Sequence, residues 1–314
     1  MTLTFRHRIL LAILPLVLLL AGLGGTGAML IVRLGQRSDA ILRENYESVR
    51  AMDQLKQSVL ANDWPEVEAY LRRSRGILIP LGSTEQHGPT GLIGTDSITA
   101  EAVAREAGAL ADALVGPTLS LGPAQFNLGF PGTVCLRPTT LIQVLVDYVQ
   151  SLVRGGFRQF YLLNGHGGNL APAWCAIQEL HADRSLCGPG GESLDFRLRS
   201  WWDLPEVNAL RQQLYGAGEG MHATPSEIAI TQHVLPHQRR PDDLAPPPAL
   251  SPAFLKFHAG DNHLDADAHR AQFPDGRVGS HSGLAQPEHG QALLQAAGQS
   301  AARDYAAFLA GDPA

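Results

Sequence analysis

The sequence predicts an α/β fold, with helices layered on a mostly parallel sheet and an apolar helix in front. Three observations predict it. Short apolar runs alternate with helix-length stretches from residue 63 to the end, the pattern of a parallel sheet with crossover helices. Polar, glycine-rich loops follow the strand-like runs, at the strand ends where such sheets collect functional groups. Residues 9–32 form one uncharged apolar run, so that all 24 basic and 30 acidic side chains of the 314 residues lie elsewhere.

The head comes first in the chain. Arg6, His7 and Arg8 precede the apolar run, and Arg33 and Arg37 follow it. About 20 apolar residues at 1.5 Å rise cross a ~30 Å hydrocarbon core, so 9–32 reads as a spanning helix and membrane tether. Two other readings stand beside it. One is a cleaved signal peptide with its hydrophobic region at 9–21 and small residues at 22–28; the other is a start-site error. Arginines at both ends leave the orientation open. Residues 38–61 are charged and free of Gly and Pro, as in a juxtamembrane helix. The head is taken as 1–57 and the body as 58–314.

In the body, 76–81 is a first buried strand that ends in a loop. Residues 97–114 read as a helix with Asp96 as its N-cap. A helix at 139–153, a buried strand at 159–163, a helix at 170–183 and a strand at 194–201 follow, and 286–309 closes the chain as an Ala-rich helix. The Pro-rich stretch 236–252 and the His/Asp-rich stretch 258–269 read as loops, suited to a lid.

Composition narrows the function. With 45% apolar and 17% charged residues, the chain is neither disordered, coiled-coil nor collagen-like. A net charge of −6 without a basic stripe argues against a nucleic-acid partner. Cys135, Cys175 and Cys187 are odd in number and lack a C-x-x-C pair, so they are expected to be buried packing residues. Eleven of the 12 histidines lie between His87 and His289. Histidine is the commonest metal ligand and titrates near neutral pH.

The motifs sit at the predicted strand ends. After the first strand comes GSTEQHGP (82–89), then GTD (94–96), which puts Glu85, His87 and Asp96 within 12 residues. Mixed carboxylate and imidazole donors suit Zn, Mn or Fe(II). The structural alternatives are a helix cap at Asp96 and a hydrogen-bonded loop histidine at His87. After the second strand comes NGHGGN (164–169), with His166 between glycines, where a tight turn with Asn169 capping the next helix, or a backbone anion nest, would also fit. The run is not G-x-G-x-x-G, so dinucleotide binding is disfavoured. In HATPSE (222–227), Thr224, Pro225 and Glu227 would form a capping box. A carboxylate tied to its own helix start is poorly placed for a metal, so cap and site compete for Glu227. Trp174, Trp201 and Trp202 read as core packing or as pocket walls.

Taken together these runs, with FPGT (130–133) and the segment 279–290, resemble the creatininase (creatinine amidohydrolase) family over about residues 63–310. The resemblance implies a metal-dependent amidohydrolase on a three-layer α/β/α fold, a small-molecule amide substrate, and a homo-oligomer, often a hexamer. It implies two divalent metal ions (Zn, Mn or Fe(II)). Glu85, Asp96 and His166 would bind one, and His87 with the bridging Asp96 the other. Glu227 matches a glutamate at or beside the centre, and His222 a histidine near the substrate. The catalytic candidates are thus His222 and Glu227, and the substrate-binding candidates Asn127, Gly167 and His222.

Two departures matter. Creatininase itself carries Tyr and Glu after the third-run histidine, and that Glu ligates the second metal. Gly167 and Gly168 stand there in this chain, which leaves the second metal short of a ligand unless Glu227 supplies it. Asn127 also stands where many relatives carry histidine. Gly-Gly forms occur in members resembling formamide deformylases and the mycofactocin peptidase, so the broad family fits better than its namesake. The rival reading is a membrane-tethered binding or sensor module that uses the same pocket without catalysis. Location follows the head: membrane-anchored if 9–32 is retained, otherwise cytoplasmic as expected for the family.

Overall fold

The structure, a computed structural model, describes residues 58–188, 192–238, 244–258 and 265–312. The apolar run 9–32, and the juxtamembrane stretch up to residue 57, lie outside the described residues. Among those described, no helix is long and apolar enough to cross a membrane.

The elements run α1 (Trp64–Leu71), β1 (Gly76–Leu81), α2 (Thr95–Ala111), α3 (Pro138–Gly155), β2 (Gln159–Asn164) and α4 (Leu170–Leu186). Then come β3 (Asp195–Ser200), α5 (Pro205–Tyr215), α6 (Pro225–Val234), α7 (Pro252–His258), α8 (Ala266–Gln272) and α9 (Pro287–Leu309). The strands form one parallel sheet in the order β1-β2-β3, with Gly76 opposite Gln159 and Gln159 opposite Asp195. On the far side of β1 the irregular segment 114–119 continues the sheet. Leu78 N donates to Leu114 O (3.0 Å) and Leu119 N to Pro80 O (3.0 Å).

The two faces of the sheet divide the core. Ile77, Ile79 and Leu81 of β1, with Phe160 and Leu162 of β2, pack on Leu141 and Leu145 of α3 and Ile177 and Leu180 of α4. The alternate residues Leu78, Tyr161 and Leu163 pack on Val103 and Ala107 of α2 and on Leu293 and Ala301 of α9. This period of two, apolar on both faces, is why β1 reads as an unbroken apolar run. Helix α6 is buried at every position from Pro225 to Gln232 and lies under α9. The approach is so close that a Cβ at Gly290 would fall 1.9 Å from Ala229 O, so glycine is required there.

Several expectations are corrected. Helix α2 begins at Thr95 with Gly94 at its N-cap, which places Asp96 inside the first turn rather than at the cap. Asn169 makes no side-chain cap for α4. Of the stretches read as loops, 244–251 is irregular as expected, but α7 fills the interval between the two stretches and α8 begins inside the second. Both helices start with ordinary signals: Ser251 Oγ accepts from Phe254 N (3.1 Å), and Asp265 Oδ1 accepts from Ala268 N (3.0 Å). Their proline and histidine content masked those starts. Cys175 and Cys187 are exposed and Cys135 is half-buried, so none is a core residue. Both exposed cysteines lie on the outer face and C-terminal end of α4.

Candidate metal centre

The carboxyl ends of β1 and β2 bring the motif loops together. Beyond β1, Gly82 N donates to Leu119 O (2.8 Å) and Glu85 N to Ile93 O (2.8 Å), folding the loop inward so that Glu85 is fully buried. Beyond β2, the chain passes so near α2 that a Cβ at Gly165 would lie 2.4 Å from Asp96 O. Asn169 ties the two loops by donating to Gly82 O (3.0 Å) and Asn164 Oδ1 (3.2 Å), which is why it is not free to cap α4. Ahead of α6, Ala223 takes a left-handed φ of 58° and turns the chain between His222 and Thr224.

Three imidazoles face this junction in the same way. His166 Nε2 donates to Pro123 O (2.7 Å), His87 Nδ1 to Glu85 O (3.1 Å) and His222 Nε2 to Gln86 O (2.7 Å). A carbonyl only accepts, so each bond fixes a proton on one ring nitrogen and turns the other inward. The inward atoms meet carboxylates: His166 Nδ1 lies 3.3 Å from Glu85 Oε1 and 3.2 Å from Asp96 Oδ2. His87 Nε2 lies 2.9 Å from Asp96 Oδ1 and 3.9 Å from Glu227 Oε1, and His222 Nδ1 lies 3.6 Å from Glu85 Oε1.

These contacts do not satisfy the groups involved. Both Glu85 oxygens, His87 Nε2 and Asp96 Oδ2 are buried without an aligned hydrogen-bond partner. Burial of such atoms costs roughly 1–3 kcal/mol each unless something else completes them. The donors fall into groups whose ligand atoms lie within 4.8 Å of one another: Glu85, Asp96 and His166; His87, Asp96 and Glu227; Glu85, His87 and His222. Asp96 is common to the first two groups.

The electrostatics follow from burial against opposite charge. Burial pulls the His87 imidazole down, but Asp96, Glu227 and Glu85 outweigh it and hold it at about 10. Burial likewise opposes, and Glu85 with Asp96 overcomes, a shift of His166 well above the usual range. Burial pushes Asp96 up, yet His87 and His166 bring it down to about 2. Burial, reinforced by the nearby His87 charge, lowers His222 to about 3. Burial raises Glu227 to about 7, against the opposing pull of His87.

Glu227 resolves the competition expected for it. Thr224 Oγ1 accepts from Glu227 N (3.3 Å) and Glu227 Oε1 accepts from Thr224 N, a complete capping box. The same carboxylate lies among the donors around His87 and Asp96. Asn127 is buried behind the site, with its Oδ1 accepting from Gln86 Nε2 (2.7 Å) and its Nδ2 3.3 Å from His222 Nε2. Gln86, which sequence reasoning passed over, also donates to Gly276 O (3.0 Å) and so locks the loop 273–285 onto the site. A polar side chain between two candidate ligands was the available signal. The cavity beside the donors measures about 390 Å³ and is walled by Phe126, Gly167, Trp201, Trp202 and Met221. Trp174 is half-exposed and lies outside it.

Residues 61–304 match the creatininase family, described as creatinine amidohydrolase. The chain belongs to the creatininase family. Among its relatives, the mycofactocin precursor peptide peptidase of Mycolicibacterium smegmatis is 40% identical over 107 residues, 32% of this chain and 43% of that protein. The chain thus spans less than half the length of that peptidase. The creatinine amidohydrolase of Pseudomonas putida is 30% identical over 209 residues, 62% of this chain and 78% of that protein. A solved structure named "Creatininase Mn" superimposes with a TM-score of 0.66 at 25% identity, covering 82% of this chain and 99% of the other. Within the family, this chain's Gly168 is fixed by its backbone. A Cβ there would fall 2.4 Å from Pro123 O and 2.6 Å from His166 Nε2, so this loop has no room for a glutamate.

Proposed function

We propose that this creatininase-family chain is a metal-dependent amidohydrolase that cleaves an amide C–N bond with water. The observation that carries the reading is the nest of three carbonyl-fixed imidazoles turned onto Glu85 and Asp96, three of whose buried oxygens lack an aligned hydrogen bond. Buried charges without hydrogen bonds are stable when a cation completes them. Imidazole with carboxylate suits Zn, Mn or Fe(II), and manganese in the name of a structural relative agrees. Glu85, Asp96 and His166 would hold one ion, and His87 and Asp96 with Glu227 a second, Glu227 replacing the donor that Gly168 cannot provide. When bound, such ions supply Lewis acidity, bringing the deprotonation of water toward neutral pH and polarising an amide carbonyl.

The chain's own groups supply positioning and proton transfer. Water oxygen adds to the carbonyl carbon, the C–N bond breaks, and the nitrogen leaves with the water's proton. Glu227, the carboxylate beside His87 and Asp96, would take that proton and pass it on. Its Oε1 is tied to Thr224 N, which leaves Oε2 for the transfer. His222 keeps Nδ1 unprotonated and faces the nest as an acceptor that orients water or the substrate N–H. Positioned acid–base groups contribute roughly 10²–10⁴-fold. Gly167, without a side chain, leaves the cavity wall open to the substrate. A pure binding module would need neither a proton-carrying carboxyl nor an unprotonated imidazole at the same nest. We place the activity in 58–314, in a homo-oligomer as the family resemblance suggests, with 1–57 as the tether that sets where it works.

The test is metal analysis of the purified full-length chain together with hydrolysis of creatinine, N-formyl compounds and short peptide amides, with Asp96→Ala in parallel. Metal bound by the parent and lost with activity in the variant is expected. Metal-free parent protein, or hydrolysis indifferent to Asp96→Ala, would refute the reading.

A further inference from the structure

A groove lies next to the metal-centre cavity along the open edge of the sheet. Strand β3 pairs with β2 on one side, and among the described residues no strand pairs with its other side. Two hollows of about 650 and 410 Å³ lie along that edge. The larger shares Leu170 with the cavity that holds Glu85, Asp96 and His166. The two hollows share Trp174, Leu198 and Arg199. Cavity and hollows therefore lie side by side, in series from the nest past Leu170 to the Asp195 end of β3.

The walls of this groove have a definite chemistry. Leu170 and Trp174, four residues apart, lie on one face of α4, and Trp174 is 50% exposed although its ring is large and apolar. The arginines opposite are already paired. Asp304 holds Arg197 (2.9 Å) and Arg199 (3.1 Å), and Glu206 holds Arg303 (2.7 Å). With its arginines so held, the groove leaves no free guanidinium for an anionic ligand. What it offers is an unpaired strand edge and an aromatic face, the two features that recognise extended main chain.

We propose that this groove binds an extended peptide portion of the substrate, whose chain lies along β3 and whose scissile amide reaches the nest. This inference rests on the hydrolase reading above and names its substrate class. Six residues of β3 at about 3.3 Å each give a platform of about 20 Å, enough for about six residues of peptide. Adjacency to the cavity of the nest at Leu170 favours substrate over a second copy of the chain on the same edge. A compact cyclic amide would fill the cavity of about 390 Å³ and leave the groove unused.

The experiment uses the full-length chain loaded with Mn²⁺ and two random peptide pools, of two and of eight residues, each carrying an N-terminal benzophenone. Binding is read by competition, and crosslinks are mapped by mass spectrometry. The longer pool should bind at least about tenfold more tightly and label α4 near Trp174 and α9 near Arg303. Trp174→Ala should weaken that binding by about three- to tenfold, the worth of one aromatic contact, while metal content and thermal midpoint are retained. Equal binding of the two pools, or labelling confined to the nest cavity, overturns the proposal. So does self-association that Trp174→Ala dissolves and that blocks labelling, since the edge is then a contact between copies. Metal content separates the two readings. A chain that takes up no metal refutes the hydrolase, whereas a metal-loaded chain indifferent to peptide length refutes the groove alone.

Discussion

Gly168→Ala puts a single methyl group into the bond that orients His166. The added Cβ would lie 2.4 Å from Pro123 O and 2.6 Å from His166 Nε2, the acceptor and donor atoms of one 2.7 Å hydrogen bond. Ordinary carbon contacts begin near 3.4 Å, so carbonyl and ring must separate or the loop must shift by close to 1 Å. Losing the bond costs about 1 kcal/mol, and overpacking a filled site adds about 1–3 kcal/mol. The larger effect is on the opposite nitrogen. His166 Nδ1 lies within 3.3 Å of both Glu85 and Asp96 because the carbonyl behind it fixes ring and proton. Removing such an outer partner lowers metal affinity by about 10–100-fold. Chelator competition measures that affinity, and thermal unfolding of the metal-free protein reports the strain. Gly155→Ala, where a Cβ meets nothing within 4 Å, is the control and should leave affinity unchanged. If Gly168→Ala binds metal within twofold of the parent and unfolds at the same temperature, the carbonyl does not hold the imidazole and the argument from the three fixed rings fails.

Other expectations follow from the same geometry. Asp96→Ala leaves His87 and His166 without their shared partner and should destabilise the metal-free chain by about 3–5 kcal/mol in denaturant unfolding, as for other broken buried pairs. Metal loading at pH 7 should release about two to three protons, because His87 and His166 are held protonated and Glu227 titrates near 7; calorimetry in buffers of different ionisation enthalpy counts them. The raised His87 imidazole stabilises the metal-free fold fully below its ordinary value of 6.5 and ceases to do so as pH rises through about 10. The thermal midpoint of the metal-free chain should therefore fall across that window. Thr224→Ala should cost about 1 kcal/mol of stability with metal retained. Glu227→Gln keeps an oxygen for Thr224 N and should keep stability, yet lose about 10²–10⁴-fold in hydrolysis.

Much of the architecture was legible because burial on both faces leaves a plain mark. Residues 76–81 and 159–163 are apolar at every or nearly every position, and no surface strand reads that way. The helices α7 and α8 were not legible. Ser251 before Pro252, and Asp265 two residues before Asp267, are sound start signals, but composition outvoted them. In sequence Trp174 looks like Trp201 and Trp202, and only its surroundings in space set it apart: Trp201 is 1% exposed and Trp174 50%. The support behind the nest was invisible for a simpler reason. The atoms that fix the three imidazoles are backbone carbonyls of Pro123, Glu85 and Gln86, and every residue carries one.

At Glu227 the helix cap and the site chemistry are compatible. A carboxylate has two oxygens and about four acceptor positions, so accepting one bond from Thr224 N leaves capacity for His87 and its neighbours. The cap also does something for the site: it holds the carboxylate at the first turn of α6, as Asp96 is held at the first turn of α2. Helix N-termini carry a partial positive charge that favours anions. Two of the three carboxylates in the nest thus stand where backbone dipoles offset their mutual repulsion, before any cation is present. A sequence pattern that signals a helix start is, at this junction, also the means by which like charges are brought together.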